Sequence, residues 1–449
     1  MNTVCKIILF LFIMVFRLPV SAFCQVKQYR PDPAVAALLL RIDKLAYNTN
    51  EKVIAWRHDI HQHPELGNRE FKTAEKIAAH LRSLGIEVTT GVAKTGVIGL
   101  LKGGKPGPVV ALRADMDALP VTEAGELSFK SVVTTEYNGT TTGVMHACGH
   151  DTHVAMLMGV PTILAAVKNE LKGTVKFIFQ PCEEGPPAGE EGGAKLMVKE
   201  NVLDNPAADV IFGQHIASGT ALGVFTYRPG SVCAENDIFR ITINGKQSHG
   251  AYPSTGVDPI VTGAQIIMAL QTIVSRNIPL TNNPAVITVG AFHAGNRENI
   301  IPDEAVLIGT IRTLDTGMRN TIHRRVNEIV SHIAASAGAT ATVTISMEDA
   351  MLSNNEQLTA AMLPTLQALA GKENVKLVPA DMGAEDFAYF AEKVPGFYFS
   401  TGALPKGRTP AEVGHHTPNF QVDESSMLNG VKALCYLTVN YMEQHYKKN

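Results

Sequence analysis

The spacing of apolar positions divides the chain into stretches with different predicted structures. Helical spacing dominates the start, and short β-branched runs mixed with helices follow up to about residue 231. We predict helices over residues 35–47, 52–61, 73–84 and 194–200, and strands over residues 86–89, 97–101, 109–113, 174–179 and 209–212. Strands that alternate with helices in this way indicate an α/β sheet domain.

From residue 232 to residue 346 the pattern changes to strand-like runs that surround long amphipathic helices. The strands are predicted over residues 237–244, 285–291, 305–312 and 340–347, and the helices over residues 259–275 and 318–335. After residue 351 the first pattern returns. It predicts helices over residues 356–370 and 424–446, a helix that opens at residues 383–387, and strands over residues 376–378 and 396–400.

This order predicts an α/β protein with two domains. A mixed, largely parallel sheet flanked by helices forms a split catalytic domain, made of residues 30–231 and 347–449. Residues 232–346 form an inserted, smaller α+β domain with a four-stranded sheet and two helices. Side chains from both halves of the split domain must then meet in space.

Residues 1–22 have the order of a secretory signal peptide. A cation, Lys6, precedes an apolar run over residues 7–16, and small residues follow up to Ala22. We expect cleavage after Ala22, with cleavage after Cys24 as the second choice, and an exported protein that is periplasmic or secreted. An uncleaved membrane anchor is the alternative, but the run is short for a bilayer and ends at Arg17. No stable membrane insertion is expected after cleavage.

Composition limits the remaining function classes. Loss of the signal segment moves the formal net charge from -3 to -5, because the segment carries two cations and no acid, so no nucleic acid partner is expected. The later cysteines have no regular spacing and do not form a disulfide framework. They are Cys148, Cys182, Cys233 and Cys435. An unpaired thiol is a liability in an oxidising compartment, so a cysteine inside a histidine cluster indicates a chemical role.

The densest group of metal-binding side chains lies at residues 146–153, which read HACGHDTH. Deprotonated Cys, His and Asp side chains bind borderline-soft divalent metal ions. Gly149 separates Cys148 from His150 and allows a sharp turn that aims both side chains at one point. The apolar run that follows predicts a helix beginning where the ligands end.

Further polar side chains follow predicted strands, where ligands bind in parallel α/β sheets. Asp115 and Asp117 follow one strand, although a solvated turn explains them equally well. Glu183 and Glu184 follow another and would point in different directions, one towards a metal ion and one towards substrate as a general base. His215 follows a third strand.

Structural explanations compete with functional ones for a second acidic pair and for a histidine in the inserted domain. The second acidic pair, Glu190 and Glu191, precedes a predicted helix, where the helix dipole favours acids. His249 lies in a polar loop between glycine and proline residues, and taken alone its pattern favours a structural role.

Six motifs occur in order along nearly the whole mature chain. They are RADMDALP (113–120), MHACGHD (145–151), QPCEEG (180–185), SHGA (248–251), NIIPD (299–303) and GAEDF (383–387). Together they closely resemble the amidohydrolase branch of the aminoacylase/carboxypeptidase G metallopeptidase family, which includes hippurate hydrolase, indoleacetyl-amino-acid hydrolases and N-acyl-L-amino-acid amidohydrolases. Any one motif would be a weak signal, whereas six in order make a chance match improbable.

The resemblance implies two divalent metal ions per subunit. Zn, Mn, Co and Ni are all compatible with the mixed nitrogen, oxygen and sulfur ligands. By resemblance the ligands are Cys148, His150, Glu184, His215 and His416. His416 is preferred to the adjacent His415 because its spacing to Pro418 and Phe420 fits the family. His146 and His153 are expected to be structural or to support the ligands.

The resemblance also implies the catalytic residues. Glu183 would take a proton from water and return it to the departing nitrogen, while the two ions lower the water's pKa and polarise the carbonyl. His249 would stabilise the oxyanion in the active site of the neighbouring subunit. The inserted domain is the family's dimerisation and lid domain, so a homodimer or a higher homo-oligomer is expected.

Supporting and substrate-binding residues complete the implied site. Asn299, Arg312 and Glu385 would contact the substrate. Asp115 would orient a metal ligand, and Asp117 would support the structure behind it.

The expected activity is hydrolysis of the amide bond of an N-acyl amino acid or a small peptide. A dipeptidase or carboxypeptidase-type exopeptidase is one alternative. A cysteine hydrolase with Cys148 as the nucleophile is another, and a non-catalytic exported binding protein is the third. Activity that survives complete metal removal but is lost on thiol alkylation would favour the cysteine hydrolase.

Overall fold

The computed structural model describes residues 32–446, and the predicted signal peptide lies outside the described residues. The helices are α1 (Pro33–Gln62), α2 (Phe71–Ser83), α3 (His150–Ala166), α4 (Gly193–Lys199), α5 (Pro259–Thr272), α6 (Thr316–Ser336), α7 (Glu356–Ala370), α8 (Ala388–Ala391) and α9 (Ser426–His445). Within this part of the chain, none of the helices combines the length and apolar character that a membrane span requires.

The strands of the same residues form a large sheet, a smaller sheet and three strand pairs. They are β1 (Glu87–Val92), β2 (Gly96–Lys102), β3 (Lys105–Asp115), β4 (Thr134–Tyr137), β5 (Thr140–Gly143), β6 (Lys172–Gln180), β7 (Val210–Ala221), β8 (Phe225–Tyr227), β9 (Gly230–Cys233), β10 (Glu235–Asn244), β11 (Ser248–His249), β12 (Ala285–Ala294), β13 (Ile300–Ile301), β14 (Glu304–Thr313), β15 (Thr340–Asp349), β16 (Leu352–Asn354), β17 (Val375–Leu377) and β18 (Gly396–Leu404).

The large sheet has eight strands in the order β1-β2-β6-β3-β7-β18-β8-β17. Its centre, β6-β3-β7-β18, is parallel, while β1-β2-β6 and β18-β8 are antiparallel pairings. Strand β18 lies after the smaller sheet in the chain and β7 lies before it, so the two halves of the chain share one sheet. The carboxyl ends of the parallel strands meet at one edge, which is where such sheets bind ligands.

Helices α1, α3 and α9 bury the main core against one face of the large sheet. Helix α3 is apolar on almost every side and is enclosed by its neighbours, with Val154, Met156 and Leu157 fully buried. Successive strand residues face opposite sides of a sheet. A second core, which includes Ala111 and Phe387, therefore forms on the other face.

The smaller sheet is antiparallel in the order β12-β14-β10-β15 and lies between Glu235 and Asp349. Helices α5 and α6 pack around its core, which includes Phe239, Ile241 and Leu307. The β9 and β16 pair stands where the chain enters and leaves this unit. The predicted fold class, a largely parallel split sheet with an inserted four-stranded α+β unit, is confirmed.

Two predicted elements are longer in the structure. The helices predicted over residues 35–47 and 52–61 form one helix, α1, because its packing against α3 outweighs the weak helix formers between them. Strand β7 does not end before Gly213 but continues to Ala221, since β18 pairs with it as far as Leu404. His215 therefore lies within a strand rather than after one.

The prediction that a helix opens at residues 383–387 is wrong. Helix α8 begins at Ala388 and lasts one turn. Glu385 and Asp386 lie in a buried loop, because the guanidinium group of Arg113 binds both carboxylates.

Candidate metal centre

A tight turn brings Cys148 and His150 together at the N-terminus of α3. Gly149 has a φ of 90° and caps this helix. A Cβ atom on Gly149 would lie 2.4 Å from Ile216 Cγ2, so a larger residue would displace its surroundings. Because of this turn, the ligand atoms of Cys148, His150 and His215 all lie within 4.8 Å of one another.

His150 and His215 each use one ring nitrogen for a backbone carbonyl. His150 Nδ1 donates to Asp117 O at 2.9 Å, and His215 Nδ1 donates to Ile216 O at 2.6 Å. A carbonyl only accepts, so in the neutral rings Nε2 is the nitrogen with a free lone pair. His215 Nε2 lies 3.5 Å from Cys148 Sγ. Both rings therefore present Nε2 as a possible metal ligand.

His416 approaches the same thiol from the distant C-terminal segment. Its backbone N–H donates to Ala147 O at 2.8 Å, and its φ is 61°. His416 Nε2 lies 3.3 Å from Cys148 Sγ and 3.0 Å from Glu184 Oε1. The adjacent His415 lies farther from Cys148 Sγ, at 3.7 Å, and packs its ring against Phe420. Cys148, Glu184 and His416 thus form a second group of three residues that could bind a metal ion.

Glu183 and Glu184 follow β6 in a turn that other buried acids hold in place. Cys182 N–H donates to Glu70 Oε1 at 2.8 Å, and Glu184 N–H donates to Asp117 Oδ2 at 3.1 Å. His150 Nε2 lies 3.9 Å from a carboxylate oxygen of Glu183 and 3.9 Å from one of Glu184. The two side chains therefore reach the same centre from adjacent positions.

The donor atoms fit divalent metal ions. His150 Nε2 and Glu184 Oε1 are buried, and neither makes an aligned hydrogen bond within residues 32–446. The groups Cys148–His150–His215 and Cys148–Glu184–His416 share the thiol, which suits two neighbouring ions. Burial raises the pKa of Cys148, so binding of a cation must displace its proton.

Asp115 acts on the centre through His153. Asp115 Oδ1 accepts from His153 Nδ1 at 2.6 Å, and His153 Nε2 accepts from Ile216 N–H at 2.8 Å. Asp115 thereby ties α3 to the strand segment that carries His215. Asp117, expected only to support the structure, contacts two of the predicted ligands as described above.

Arg113 is a fully buried cation beneath the centre that sequence reasoning missed. It donates to Asp115 Oδ2 at 2.6 Å, to Gln180 Oε1 at 2.7 Å, and to Glu385 and Asp386 at 2.9 Å. Tyr398 O–H also donates to Glu385. Both carboxylate oxygens of Glu385 therefore have protein partners, and its predicted contact with substrate stays a prediction.

Glu183 is surrounded by other acids. Burial, followed by the carboxylates of Glu385, Glu184 and Asp386, raises the pKa of Glu183 well above its usual value. Positive charge from bound cations acts in the opposite direction. A carboxyl group whose pKa is raised by neighbouring acids and lowered by bound cations is suited to accept and return a proton near neutral pH.

Comparison with known proteins agrees with this geometry. The family model described as Peptidase family M20/M25/M40 matches residues 111–440. The chain belongs to this peptidase family. It is 40% identical over 392 residues to thermostable carboxypeptidase 2 of Saccharolobus solfataricus, covering 87% of this chain and 95% of that protein. It is 36% identical over 395 residues to N-acetylcysteine deacetylase of Bacillus subtilis, covering 87% and 97%.

A solved structure extends the similarity to the fold. A Bacillus subtilis protein described as a dinuclear metal binding peptidase from the M20 family has a TM-score of 0.73 and 33% identity, covering 88% of this chain and 99% of that one. The M20 chain described here is therefore a metal-dependent hydrolase that acts on amide bonds.

A second buried network supports the candidate metal centre of this M20 chain from the side of α1, and sequence reasoning missed it too. Asp151, next to His150, accepts from Arg57 Nε and His61 Nδ1, both at 3.0 Å. His61 Nε2 lies 3.2 Å from Glu123 Oε2. A histidine between two carboxylates binds a proton strongly: burial lowers the pKa of His61, but hydrogen bonds to Asp151 and Glu123 raise it to about 9.

Three predicted residues lie on the inserted unit, apart from this cluster. His249 and Asn299 are exposed, and they line a cavity of about 500 Å³ with Arg297. Arg312 Nη1 donates to Met382 O at 3.5 Å. Within the described residues, no hydrogen bond or ion pair joins His249 to the metal ligands, and its catalytic role stays a prediction.

The second acidic pair lies on the surface. Glu190 pairs with Arg69 and Lys94, and Glu191 pairs with Lys199. These contacts favour a structural role for both acids, but one that rests on ion pairs with nearby cations, since α4 has no acid in its first turn.

Proposed function

We propose that the protein is an exported M20 amidohydrolase that releases a free amino acid from an N-acyl amino acid or a small peptide. The observation that carries the proposal is that the donor atoms of Cys148, His150, Glu184, His215 and His416 form overlapping groups of three. The carboxyl group of Glu183 lies beside two of these residues, His150 and Glu184. Two divalent ions, drawn from Zn, Mn, Co or Ni, would be held by these five ligands.

Relatives support the substrate class. A carboxypeptidase and an N-acetylcysteine deacetylase both leave an amino acid whose amide nitrogen has been freed and whose carboxylate is intact. A site shared with such enzymes is suited to an amide whose nitrogen belongs to an amino acid.

Glu183 would move the proton during hydrolysis. Ions bound by the five ligands would supply Lewis acidity that makes water more acidic and the amide carbonyl more electrophilic. Glu183 would accept the proton of the attacking water and transfer it to the departing nitrogen, so that the amine leaves neutral. Arg113 binds the carboxylates of Glu385 and Asp386. These two carboxylates in turn raise the affinity of Glu183 for that proton.

His249, Asn299 and Arg312 would complete the site from a neighbouring subunit. Each has polar hydrogen-bonding groups, and His249 and Asn299 are exposed on the inserted unit. A neutral or protonated imidazole can donate to an oxyanion, and the amide and guanidinium groups can bind a carboxylate. This arrangement requires a homodimer or a higher homo-oligomer.

Export rests on the order of charged, apolar and small residues in the first 22 positions. N-terminal sequencing of protein recovered from the periplasm or the medium tests it. We expect a mature chain that begins at Phe23, or at Gln25 after the second cleavage site. Retention of the intact chain in the membrane fraction would refute export.

The cysteine hydrolase alternative is less well supported. A nucleophilic thiol needs a lowered pKa, whereas burial raises the pKa of Cys148. Chelation followed by metal replacement tests this directly. We expect activity to disappear with the metal and to return when it is restored; activity that persists without metal would refute the proposed role of Cys148 as a ligand.

The decisive experiment is Glu183→Gln, with Glu191→Gln as the matched control on the surface. Substrates should include N-acetyl, N-benzoyl and long-chain N-acyl amino acids and dipeptides, each tested with Zn, Mn, Co and Ni. We expect kcat for Glu183→Gln to fall roughly 10²- to 10⁴-fold while its bound metal is retained. An unchanged rate would refute the role of Glu183, and absence of turnover by the wild type on every substrate would favour a binding protein.

A further inference from the structure

Glu70 occupies the N-cap position of α2, but its side chain does not cap that helix. A polar side chain at this position normally accepts hydrogen bonds from the first amides of its own helix. The amides of Lys72 and Thr73 instead donate to Glu65, at 3.2 Å and 2.9 Å. Because Glu65 caps the helix, the carboxyl group of Glu70 can bind other parts of the chain.

Both carboxyl oxygens of Glu70 bind segments outside α2. Glu70 is 0% exposed, and its Oε1 accepts from Cys182 N–H at 2.8 Å while its Oε2 accepts from Thr95 Oγ1 at 2.6 Å. A buried carboxyl group is costly unless it is hydrogen-bonded, and here both oxygens have partners. Burial, followed by the charge of Asp117, raises the pKa of Glu70 to about 7. A carboxyl group keeps an accepting oxygen in either protonation state, so it can bind Cys182 N–H on both sides of that pKa.

The backbone beside both partners of Glu70 has unusual conformations. Cys182 has a φ of 58°, and the two residues before Thr95 have φ values of 46° and 79°. None of the three is glycine, so their positive φ costs free energy and persists only where the surrounding contacts fix the chain. The thiol of Cys182 is enclosed as well, because a Cβ atom on Gly67 would lie 3.0 Å from its Sγ. The backbone is therefore strained directly before Glu183, and strain of this kind clusters at functional sites.

The amides on both sides of Glu183 are held by buried carboxyl groups. Glu70 binds the amide of Cys182, and Asp117 Oδ2 accepts from Glu184 N–H at 3.1 Å. Since Glu183 directly follows Cys182, rotation of the Cys182 backbone would swing the Glu183 side chain. Loss of the contact with Glu70 would release that rotation.

We propose that Glu70 is a positioning residue for hydrolysis, which holds the Cys182 amide and thereby directs the carboxyl group of Glu183 towards the metal centre. This role rests on the proposed function, in which Glu183 transfers the proton. Displacement of a reacting group by about 1 Å can slow a reaction roughly 10²-fold. Neither Cys182 nor Thr95 is a predicted metal ligand, so Glu70 acts on the reaction through the turn rather than through metal binding.

Steady-state kinetics of the metal-loaded enzyme test this role, with the substrate that the wild type cleaves fastest in the panel of N-acyl amino acids and dipeptides. We expect Glu70→Ala to lower kcat roughly 10- to 100-fold, with KM and bound metal close to the wild-type values, because an interaction that matters in the transition state is lost. Glu70→Gln keeps an oxygen that can accept from Cys182 N–H and should keep most of the wild-type kcat. A wild-type kcat in Glu70→Ala, or an equal loss in Glu70→Ala and Glu70→Gln, would overturn the proposal.

Two other variants of α2 separate positioning from stability. Ile77→Ala removes a fully buried side chain of this helix and should lower the urea midpoint while kcat stays close to the wild-type value. Glu75→Ala, which replaces an exposed acid of the same helix, should change neither. A kcat loss in Ile77→Ala as large as that in Glu70→Ala would mean that any damage to α2 slows the enzyme, and would overturn the proposal.

Glu70→Asp serves if Glu70→Ala does not fold. It keeps the charge but shortens the side chain by one methylene, which withdraws the carboxyl group from Cys182 N–H, and we expect kcat to fall roughly 10-fold or more. An unchanged kcat in Glu70→Asp would overturn the proposal. A kcat that excess metal restores in either variant would also overturn it, because Glu70 would then act through metal binding.

Comparison with Glu183→Gln separates this role from the proposed function. Addition of Glu70→Ala to Glu183→Gln should cause little further loss, because both changes act on the same carboxyl group. A further fall of roughly 10-fold or more in the double variant would show that Glu70 acts independently of Glu183, and would overturn the proposal. An unchanged rate in Glu183→Gln refutes the proposed function together with this role, whereas a slow Glu183→Gln with an unchanged Glu70→Ala refutes the role of Glu70 alone.

Discussion

Substitution of Asp151 by alanine should destabilise the protein at the start of α3, beside the turn that carries the candidate ligands Cys148 and His150. Asp151 Oδ2 lies 3.0 Å from both Arg57 Nε and His61 Nδ1, and all three side chains are at most 1% exposed. Nearby cations hold the pKa of Asp151 far below its usual value, although burial alone would raise it. The carboxylate is therefore ionised at neutral pH and stabilises both partners.

The size of the effect follows from what each partner retains. Removal of one member of a buried ion pair costs about 3–5 kcal/mol, because the other charge is left uncompensated. Arg57 keeps Glu424 at 2.8 Å, and His61 keeps Glu123 at 3.2 Å. Since each cation retains one acid, we expect a loss at the lower end, about 3 kcal/mol. Asp151→Asn keeps the shape of the side chain and should cost less.

Urea unfolding followed by the fluorescence of Trp56 measures this loss. Trp56 is the only tryptophan of the chain and is adjacent to Arg57. The dependence of unfolding free energy on urea exceeds roughly 3 kcal/mol per molar for a large chain, so a loss of 3 kcal/mol lowers the midpoint by up to ~1 M. Glu191→Ala, which removes an exposed partner of Lys199, is the control and should unfold close to the wild type.

If Asp151→Ala has the same urea midpoint as the control, Asp151 is not a shared partner of two buried cations and the reasoning is refuted. A midpoint that falls equally in Asp151→Ala and Asp151→Asn would show that charge, rather than packing, carries the whole effect. Both variants should also be assayed for bound metal, because Asp151 directly follows His150.

Three further predictions concern the same region. Hydrogen bonds to Asp151 and Glu123 outweigh burial and raise the pKa of His61 from 6.5 to about 9. The stability that protonated His61 provides is therefore complete below pH 6.5 and is lost as the pH rises towards 9. Over that pH range, the urea midpoint of the wild type should fall more than the urea midpoint of His61→Gln. His416→Ala should reduce bound metal measured by elemental analysis, whereas His415→Ala should retain it, and equal metal content in the two variants would contradict the choice of His416. Gly149→Ala should weaken metal binding about 10- to 100-fold in competition with a chelator, as loss of supporting groups does. Gly223→Ala, at a similar φ of 81° but in open space, should not weaken it.

The sequence predicted the fold class because helices and strands depend on local order, whereas the candidate ligands were grouped by the resemblance that the six motifs carry. The period at which apolar residues recur changes along the chain, and this change separates the large sheet from the inserted unit. Gly149 explains the turn between Cys148 and His150. The longer reach of β7 and the single helix α1 depend on β18 and α3, which are distant in sequence. No local pattern contains that information.

Buried charge networks were missed for a related reason. Arg57, His61 and Glu123 look like surface residues in sequence, because their partners come from other elements. Arg113 offered a signal, since a cation that ends an apolar strand needs a buried acid. The GAEDF motif was noted by resemblance, but the pairing of its acids with Arg113 could be seen only in three dimensions.

The joining of β7 to β18 has a consequence for how the enzyme matures. Cys148 and His416 are 268 residues apart in the chain, and the strand that brings the C-terminal segment into place is synthesised only after the inserted unit. Contacts between such distant residues form late and slow folding, because a large loop must be closed first. An incomplete chain therefore lacks a full set of ligands, and we expect metal loading to follow completion of the polypeptide rather than guide its early folding.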